Sequence, residues 1–232
     1  MRLMRGLISL FMLSVMLFYA ALPVSAEISG CRVYSSCKND KKLIALTFDD
    51  GPHPKNTPII LDILAQYGIK ATFFEVGSNV EYYPDVSRRV IEEGHEIGNH
   101  TYTHPHVKNL SLAGLEKEVE KCEAAIKKVT GKAPVLFRPP EGVIDDAVKV
   151  MSTDREYSVI IWSVDTRDWA GTPTSTIVGN VMKNVKSGDI ILMHDYVTKS
   201  CHTIEALKII IPRLLDEGYS FVTVSRLIEE KK

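Results

Sequence analysis

The stretch LIALTFDDGP, residues 43–52, joins a short apolar run to a polar end that favours a turn. Residues 43–48 are apolar and β-compatible, which predicts a strand buried on both faces. Asp49 and Asp50 follow it directly, and Gly51 and Pro52 are typical turn residues. The stretch therefore predicts a strand whose carboxyl end presents two carboxylates at one edge of a sheet.

The same short apolar pattern recurs along the chain, alternating with segments of helical spacing. Strands are predicted at 43–48, 71–76, 95–98, 135–137, 158–164, 189–193 and 220–224. Helices are predicted at 57–68, 84–94, 112–131, 144–151, 174–186 and 203–217. Such alternation favours a parallel sheet with helical crossovers. We expect an α/β fold with a closed or nearly closed barrel, smaller than the usual eightfold one; an open doubly wound sheet is the alternative.

Length and composition set the broad class of the protein. The chain has 232 residues, 45% of them hydrophobic, which favours one globular domain over several. The formal net charge of −1 provides no basic field, so nucleic acid is not an expected partner. A monomer is expected.

Residues 1–26 have the pattern of a secretory signal. Arg2 and Arg5 precede an apolar run over 6–22, and small residues, Val24 and Ala26, stand three positions and one position before the expected cleavage site. We expect cleavage after Ala26. The alternative is an uncleaved membrane anchor, since the apolar run could just span a bilayer. Either interpretation predicts a secreted or cell-surface protein, with membrane contact only if the segment is retained.

Residues 27–41 are polar and without periodicity, so we expect an N-terminal tether before a catalytic domain at 42–232. The chain has four cysteines, and an extracellular location favours disulfides. Cys31 and Cys37 flank a short loop and are the favoured pair. Cys122 and Cys201 are either buried thiols or a second bridge, and the sequence does not select among the pairings.

Polar side chains follow five of the predicted strands, at the point where each strand ends. In parallel α/β folds, functional residues gather at the carboxyl ends of the strands. We therefore expect one rim to carry Asp49, Asp50, Asn99, His100, His104, Arg138, Asp165, Asp168, Trp169, His194 and Asp195.

Asp50, His100 and His104 form a candidate metal site. His100 and His104 are four residues apart, so one turn of backbone can direct both rings at one ion. Two histidines, one carboxylate and an open position describe a hydrolytic zinc-type centre, in which bound water becomes a nucleophile near neutral pH. Taken singly, each residue could instead be a turn or loop-capping residue.

The neighbouring polar residues supply candidates for acid–base chemistry. Adjacent side chains of an extended strand end point apart, so Asp49 can face a water molecule while Asp50 binds metal. A base must be ionised, and a nearby cation such as Arg138 favours that state. His194 could protonate a leaving group, and Asp165 could orient its ring and raise its pKa. A core histidine with a single backbone bond is the alternative.

Five motifs then stand in a recognisable order: TFDDGP (47–52), HTYTH (100–104), RPPEG (138–142), DTRDW (165–169) and LMHD (192–195). As a set they resemble the motifs of the polysaccharide deacetylase family, carbohydrate esterase family 4. The resemblance covers about residues 43–228. It implies a distorted seven-stranded β/α barrel and a metal-dependent deacetylase.

The resemblance also implies a role for each matching residue. Asp49 matches the catalytic base, Arg138 the arginine that holds it, His194 the catalytic acid and Asp165 the aspartate that tunes the acid. The metal ligands implied are Asp50, His100 and His104, with zinc as the expected metal and cobalt as the alternative. The substrate contacts implied are Pro139, Glu141, Trp169 and Leu192, with the backbone N–H of residue 141 helping to bind an oxyanion.

The implied reaction is removal of the N-acetyl group from N-acetylglucosamine in peptidoglycan or chitooligosaccharides. Two alternatives stay open: an O-deacetylase acting on acetylated xylan, and a non-catalytic barrel that only binds sugar. Glu141 departs from the family pattern, in which many members have an aromatic residue or glycine. We expect its charge to alter which sugar or peptide decoration fits.

Overall fold

The computed structural model describes residues 30–196 and 202–231, so the predicted signal segment 1–26 and Cys201 lie outside the described residues. The strands are β1 (Arg32–Tyr34), β2 (Leu43–Asp49), β3 (Thr72–Glu75), β4 (Glu96–Asn99), β5 (Leu136–Phe137), β6 (Ser158–Ile160), β7 (Val164–Asp165), β8 (Ile190–His194) and β9 (Ser220–Phe221). The helices are α1 (Asn56–Gln66), α2 (Gly77–Tyr82), α3 (Pro84–Glu92), α4 (Leu112–Thr130), α5 (Asp146–Asp154), α6 (Thr174–Asn184), α7 (Thr203–Asp216) and α8 (Val224–Glu229).

The strands form one parallel sheet in the order β1-β6-β5-β4-β3-β2-β8-β7, with β9 pairing with the start of β2. β2 lies inside the sheet, between β3 and β8, and is buried along nearly its whole length. Helices cover the sheet, which explains why its strands are apolar on both faces. The predicted α/β fold is confirmed.

The sheet curls into a distorted barrel, and the chain itself shows why. β6 lies near one end of the strand order and β7 at the other, yet only residues 161–163 join them. Four Cα steps reach at most about 15 Å, so the two ends of the sheet must approach each other. The single strand predicted over 158–164 is therefore wrong. These residues form two strands, β6, which pairs with β5, and β7, which pairs with β8.

Residues 32–37 pack on the barrel, so this part of the predicted tether over 27–41 is folded. β1 runs parallel to β6, and Ser36 forms an antiparallel bridge with Asp189. The N–H of Cys37 donates to the carbonyl of Gly188 at 2.7 Å, and the Cys37 side chain is fully buried. Because β1 is parallel to the other strands, Arg32 lies at their amino-terminal ends, on the face opposite the polar rim.

The favoured Cys31–Cys37 bridge is also wrong, since Cys31, Cys37 and Cys122 are free thiols. Cys37 is buried in one apolar cluster, whereas Cys31 packs against another. Cys122 is buried on α4, and burial raises the pKa of its thiol. A buried thiol with a raised pKa is a packing residue rather than a nucleophile.

Two further elements differ from the sequence prediction. The strand predicted over 220–224 ends at Phe221, because Thr223 caps α8 by accepting a hydrogen bond from the N–H of Arg226. Helix α2 was not predicted, since residues 77–82 are too few to show helical periodicity. Among the helices of residues 30–196 and 202–231, none is both long and apolar enough to cross a membrane.

Candidate active site

One pocket of about 400 Å³ opens at the carboxyl ends of the strands. It is lined by Asp49, Asp50, His100, His104, Glu141, Trp162, Asp165, Trp169, Leu192 and His194. Of the predicted site residues, Arg138 contacts Asp49, and Pro139 is buried and does not line the pocket. Trp162 was not predicted as a site residue, because it lies within residues 158–164, which the sequence pattern predicts as one strand.

The pocket brings together the three predicted metal ligands. Nε2 of His104 lies 3.2 Å from Oδ1 of Asp50, and Nε2 of His100 lies 3.4 Å from the same oxygen. Two ligands that are each about 2.0–2.1 Å from a tetrahedral zinc ion are about 3.3 Å apart. The three donor atoms therefore have the spacing that one ion requires.

Hydrogen bonding supports this fit. No hydrogen bond from any described residue reaches the buried Oδ1 of Asp50, which leaves a polar atom that a cation would satisfy. Nδ1–H of His100 donates to the carbonyl of Arg138 at 2.7 Å, so Nε2 is the nitrogen free to bind metal. Asp50 and His104 both have left-handed backbone, with φ of 76° and 54°. Non-glycine residues held in this conformation are concentrated at functional sites.

The charge states also suit metal binding. Burial disfavours ionisation of Asp50, but His100, His194 and His104 outweigh it and hold the pKa of Asp50 below its ordinary value. Burial, followed by the charge of His100, lowers the pKa of His104, so this ring is neutral near pH 7. Burial of His100 is outweighed by Asp49 and Asp50, which raise its pKa. Metal binding would displace a proton from that ring.

Asp49 lies beside the metal ligands and is held by Arg138. Both side chains are buried, and Nη1 of Arg138 donates to Oδ1 of Asp49 at 2.6 Å. The same nitrogen donates to Oγ1 of Thr47 at 2.9 Å, and Nε donates to the carbonyl of Ile160 at 3.1 Å. Oδ2 of Asp49 lies 3.7 Å from Nε2 of His100, next to the metal position. The arrangement fixes a carboxylate where a proton acceptor would face that position.

Two aromatic rings hold the Arg138 guanidinium in place. Its central carbon lies 4.0 Å from the ring centroid of Phe74 and 5.8 Å from that of Trp162. A planar guanidinium stacks well on such rings. Trp162 therefore connects the pocket wall to the residue that orients Asp49.

His194 is paired with Asp168, which corrects the prediction that Asp165 orients it. Nδ1–H of His194 donates to Oδ1 of Asp168 at 2.8 Å, and the backbone N–H of His194 donates to Oδ2 at 2.8 Å. Thr203 also donates to Oδ2, at 2.7 Å. Burial lowers the pKa of His194, but the hydrogen bond and charge of Asp168 outweigh burial and raise it to about 9. The ring is therefore protonated near pH 7 and can donate from Nε2.

Asp165 lies on the pocket wall, where its side chain bonds to the backbone of its own turn. Its Oδ1 accepts a hydrogen bond from the backbone N–H of Arg167 at 2.8 Å. Arg167 has a left-handed backbone, with φ of 59°, and begins the turn that carries Asp168 back toward β8. This turn explains why the second aspartate of DTRDW, and not the first, reaches the histidine.

Glu141 lies on the pocket wall and reaches across to the histidine-rich loop. Its Oε1 accepts a hydrogen bond from Nδ1–H of His106 at 2.7 Å, and both side chains are substantially exposed. The φ of Glu141 is 59°, in a one-turn 3₁₀ segment over Pro140–Gly142. Trp169 is 52% exposed, which leaves an indole face open to a sugar ring.

Asp195 is a supporting residue whose role the sequence did not indicate. Its carboxyl group is buried and accepts a hydrogen bond from Oγ1 of Thr57, and burial raises its pKa to about 7. A Cβ at Gly51 would lie 2.2 Å from Oδ2 of Asp195. The carboxyl group therefore packs against the backbone of the turn that follows Asp49 and Asp50.

Sequence comparisons agree with this geometry. Residues 36–160 match the polysaccharide deacetylase family. A peptidoglycan-N-acetylglucosamine deacetylase of Bacillus cereus is 46% identical over 195 residues, which cover 83% of this chain and 91% of that protein. PdaC of Bacillus subtilis, named as a peptidoglycan-N-acetylmuramic acid deacetylase, is 42% identical over 83% of this chain and 40% of its own length. A chitooligosaccharide deacetylase of Bradyrhizobium is 36% identical over 79% of this chain and 90% of that protein.

Solved structures of similar fold include enzymes and a pseudoenzyme. A peptidoglycan N-acetylglucosamine deacetylase superposes with a TM-score of 0.82 at 36% identity, covering 91% of this chain and 100% of the other. A carbohydrate esterase family 4 pseudoenzyme from Bacillus anthracis has a TM-score of 0.80 at 31% identity, covering 86% and 70%. An acetyl xylan esterase from Clostridium thermocellum, with a cobalt ion, has a TM-score of 0.75 at 36% identity, covering 81% and 90%.

Proposed function

Because this chain belongs to the polysaccharide deacetylase family, we propose that it is a metal-dependent hydrolase that removes acetyl groups from N-acetylglucosamine units of peptidoglycan or chitooligosaccharides, releasing acetate. The observation that carries the proposal is one pocket in which a metal-type triad, a buried carboxylate on an arginine and a protonated histidine all converge.

Asp50, His100 and His104 would hold the metal, with zinc as the expected ion. The donor set supports zinc or cobalt, since imidazole and carboxylate suit both, and a cobalt ion accompanies the related xylan esterase. When bound, such an ion polarises a carbonyl oxygen and makes a water molecule easier to deprotonate.

The other residues divide the proton transfers between them. Asp49 accepts the proton of the attacking water, and Arg138 holds the carboxylate in position. His194, protonated through its contact with Asp168, donates a proton to the departing nitrogen. The backbone N–H of Glu141 is the candidate donor to the carbonyl oxygen, and Trp169 and Leu192 provide apolar wall for the sugar and the acetyl methyl.

The residues that line the pocket favour an enzyme over a barrel that only binds sugar. A pseudoenzyme with this fold exists, so the fold alone does not decide between them. Here the candidate base, the three ligands and the candidate acid are all present and within reach of one pocket. A protonated histidine also suits an amide substrate, because an amine is a poor leaving group unless it is protonated, whereas ester hydrolysis needs an acid less.

We further propose that the protein acts outside the cell, as a secreted or cell-surface enzyme. The support is the sequence pattern of residues 1–26, a positive end followed by an apolar run and small residues. The substrates named for its relatives include peptidoglycan, which lies in the same location.

Acetate release by residues 27–232 tests the proposal. The substrates are chitooligosaccharides, isolated peptidoglycan and acetylated xylan, each with chelator or with added zinc. Chelator-sensitive release from an N-acetylated substrate is the expected result. Release from xylan alone would replace the proposal with an O-deacetylase, and no release from any substrate by folded, metal-loaded protein would favour the binding barrel.

The variant Asp49→Asn tests the role of the base separately. The substitution keeps the shape of the side chain and a partner for Arg138 but removes the proton acceptor. We expect normal folding and zinc content, with kcat lower by about a hundredfold or more. Elemental analysis of the purified variant controls for metal loss, and near-normal kcat would overturn the assignment.

A further inference from the structure

We propose that Glu141 and Asp165 give the pocket a negatively charged outer wall that selects the charge of the sugar chain. The wall favours chains with a free amino group beside the reacting unit and disfavours chains with a carboxylate there. The inference rests on the proposed deacetylase function, because it concerns the choice of substrate in the same pocket.

The charges deep in the pocket have partners. Asp49 contacts Arg138 at 2.6 Å, and Asp168 contacts His194 at 2.8 Å. Asp50 faces two imidazoles across the proposed metal position. These carboxylates are therefore compensated by groups behind or between them, and they contribute little net field at the pocket mouth.

The charges of the outer wall are not compensated in this way. The side chain of Glu141 is 49% exposed and accepts a hydrogen bond from Nδ1–H of His106, whose side chain is 75% exposed, so solvent screens this contact. Asp165 is partly exposed and accepts from a backbone N–H. Neither contact is a buried ion pair, and among the described residues no lysine or arginine lines the pocket.

Sugar chains of the proposed classes differ in charge next to the reacting unit. Removal of an acetyl group leaves a glucosamine, whose amine is cationic near neutral pH. The lactyl ether of N-acetylmuramic acid carries a carboxylate unless a peptide caps it. A unit charge about 7 Å from a carboxylate in wet surroundings changes kcat/KM by about three- to tenfold in either direction. The product of one turnover is then a better substrate for the next reaction on the same chain.

The test uses three tetrasaccharides of equal length at pH 7, where the glucosamine amine is mostly cationic, and at low ionic strength. They are fully acetylated chitotetraose, the same tetramer with one glucosamine unit, and the peptide-free tetramer of alternating N-acetylglucosamine and N-acetylmuramic acid. We expect kcat/KM for acetate release to be highest for the cationic tetramer and lowest for the anionic one. The cationic-to-anionic ratio is expected to be about tenfold or more.

Two comparisons separate charge selection from pocket shape. In Glu141→Gln/Asp165→Asn, which keeps both shapes, the ratio should move toward one. The control Asp216→Asn/Glu217→Gln also removes two negative charges, at the exposed end of α7, and should leave the ratio unchanged. Raising salt to 0.5 M should shrink the wild-type ratio and not that of the double variant. A ratio unchanged by both the double substitution and salt would overturn the inference.

The outcome also distinguishes failure of the inference from failure of the proposed function. Acetate release from all three tetramers at similar rates would support the deacetylase and overturn the charge preference. If wild-type protein releases no acetate from any of them, the deacetylase proposal fails. The preference is then measured as affinity for the same tetramers by calorimetry, where equal affinities would overturn it.

Discussion

At the scale of single residues, the site depends on how a buried histidine keeps its proton. Burial removes water from His194 and disfavours the charged ring. Asp168, placed on both the ring Nδ1–H and the backbone N–H of the same residue, more than reverses that effect. One carboxylate therefore sets both the orientation and the charge of the candidate acid.

Substituting Asp168 with Asn should move the alkaline limb of the pH profile. Wild-type kcat should fall as the pH rises through about 9, where His194 loses its proton. Without the Asp168 carboxylate, only the charges of Asp49 and Asp50 oppose burial, so the pKa of His194 should fall toward the ordinary value of about 6.5. We expect the limb to move down by two or more pH units, measured as kcat against pH at saturating substrate.

Asp165→Asn is the matched control for this prediction. It removes a carboxylate three residues away that bonds to the backbone N–H of Arg167. The limb should stay near pH 9 in this variant, whatever happens to substrate preference. A limb that moves with Asp165 and not with Asp168 would restore the pairing that the motif alone suggested.

Part of the site could be predicted from residue types and positions alone. Asp50 follows β2, whereas His100 and His104 follow β4, and only β3 lies between these strands in the sheet. All three residues lie at carboxyl ends of parallel strands, so their convergence at one rim was predictable. The partner of His194 was not, because both aspartates of DTRDW follow the same strand. The choice depends on the left-handed backbone of Arg167, which residue type does not reveal.

At the scale of elements, the junction of β2 and β8 positions the catalytic turn. The N–H of Asp195 donates to the carbonyl of Asp49 at 3.3 Å, and Asn79 on α2 donates to the carbonyl of Asp50 at 2.8 Å. The Asp195 carboxyl group fills the space beside Gly51. Three elements therefore fix the backbone that carries both the base and a metal ligand.

Gly51→Ala should disturb this junction. The new methyl group would lie 2.2 Å from Oδ2 of Asp195, so the turn or the carboxyl group has to move. We expect the free energy of unfolding to fall by about 1–3 kcal/mol and zinc affinity to fall by at least about tenfold. Urea unfolding and calorimetric zinc titration measure the two effects.

A second glycine provides a control, in which substitution should raise the free energy of unfolding instead of lowering it. Gly179 lies within α6, and a Cβ there would meet no atom within 4 Å. Gly179→Ala should therefore stabilise the protein by about 0.5–1 kcal/mol and leave zinc affinity unchanged. Equal effects of the two substitutions would show that the Gly51 contact is unimportant.

The elements that the sequence misplaced share a physical cause. Residues 158–164 look like one apolar strand, and only the closure of the barrel divides them between β6 and β7. β1 is only three residues long and mostly exposed, so its sequence shows no clear alternation. It pairs with β6 at one end of the strand order, which residue types do not reveal. Long periodic segments such as α4 were predicted nearly to their ends, since Ser111 and Gly131 cap that helix locally.

At the scale of the whole molecule, metal binding should be coupled to stability. An ion that binds only the folded protein stabilises it by about 2.7 kcal/mol at a hundred times its Kd. For a domain of this size we expect Tm to rise by about 5–10 °C. Differential scanning calorimetry with zinc and with chelator measures the shift.

His104→Ala is the matched variant for the metal-dependent shift. His104 is partly exposed, so its removal should leave the apo protein folded with nearly the same Tm. The zinc-dependent rise should disappear, together with the bound metal. A variant that keeps the full rise would exclude His104 from the ligand set.

The N-terminal strand should contribute to the stability of the whole barrel. A chain that begins at Lys42 lacks β1 and the buried side chain of Cys37. Relative to residues 27–232, we expect its free energy of unfolding to fall by about 2–4 kcal/mol. Urea unfolding of the two chains checks this, and equal midpoints would restore the interpretation of 27–41 as a tether.

The direction of β1 has a consequence for how the enzyme would work when held at a surface. The chain enters the barrel on the face opposite the pocket, and β2, with seven residues, sets a barrel height of about 20 Å. An enzyme held through the residues before Gly30 would point its pocket away from its point of attachment. It would act on glycan strands farther from the surface than the height of the barrel. Strands closer to the surface would contact only the face opposite the pocket.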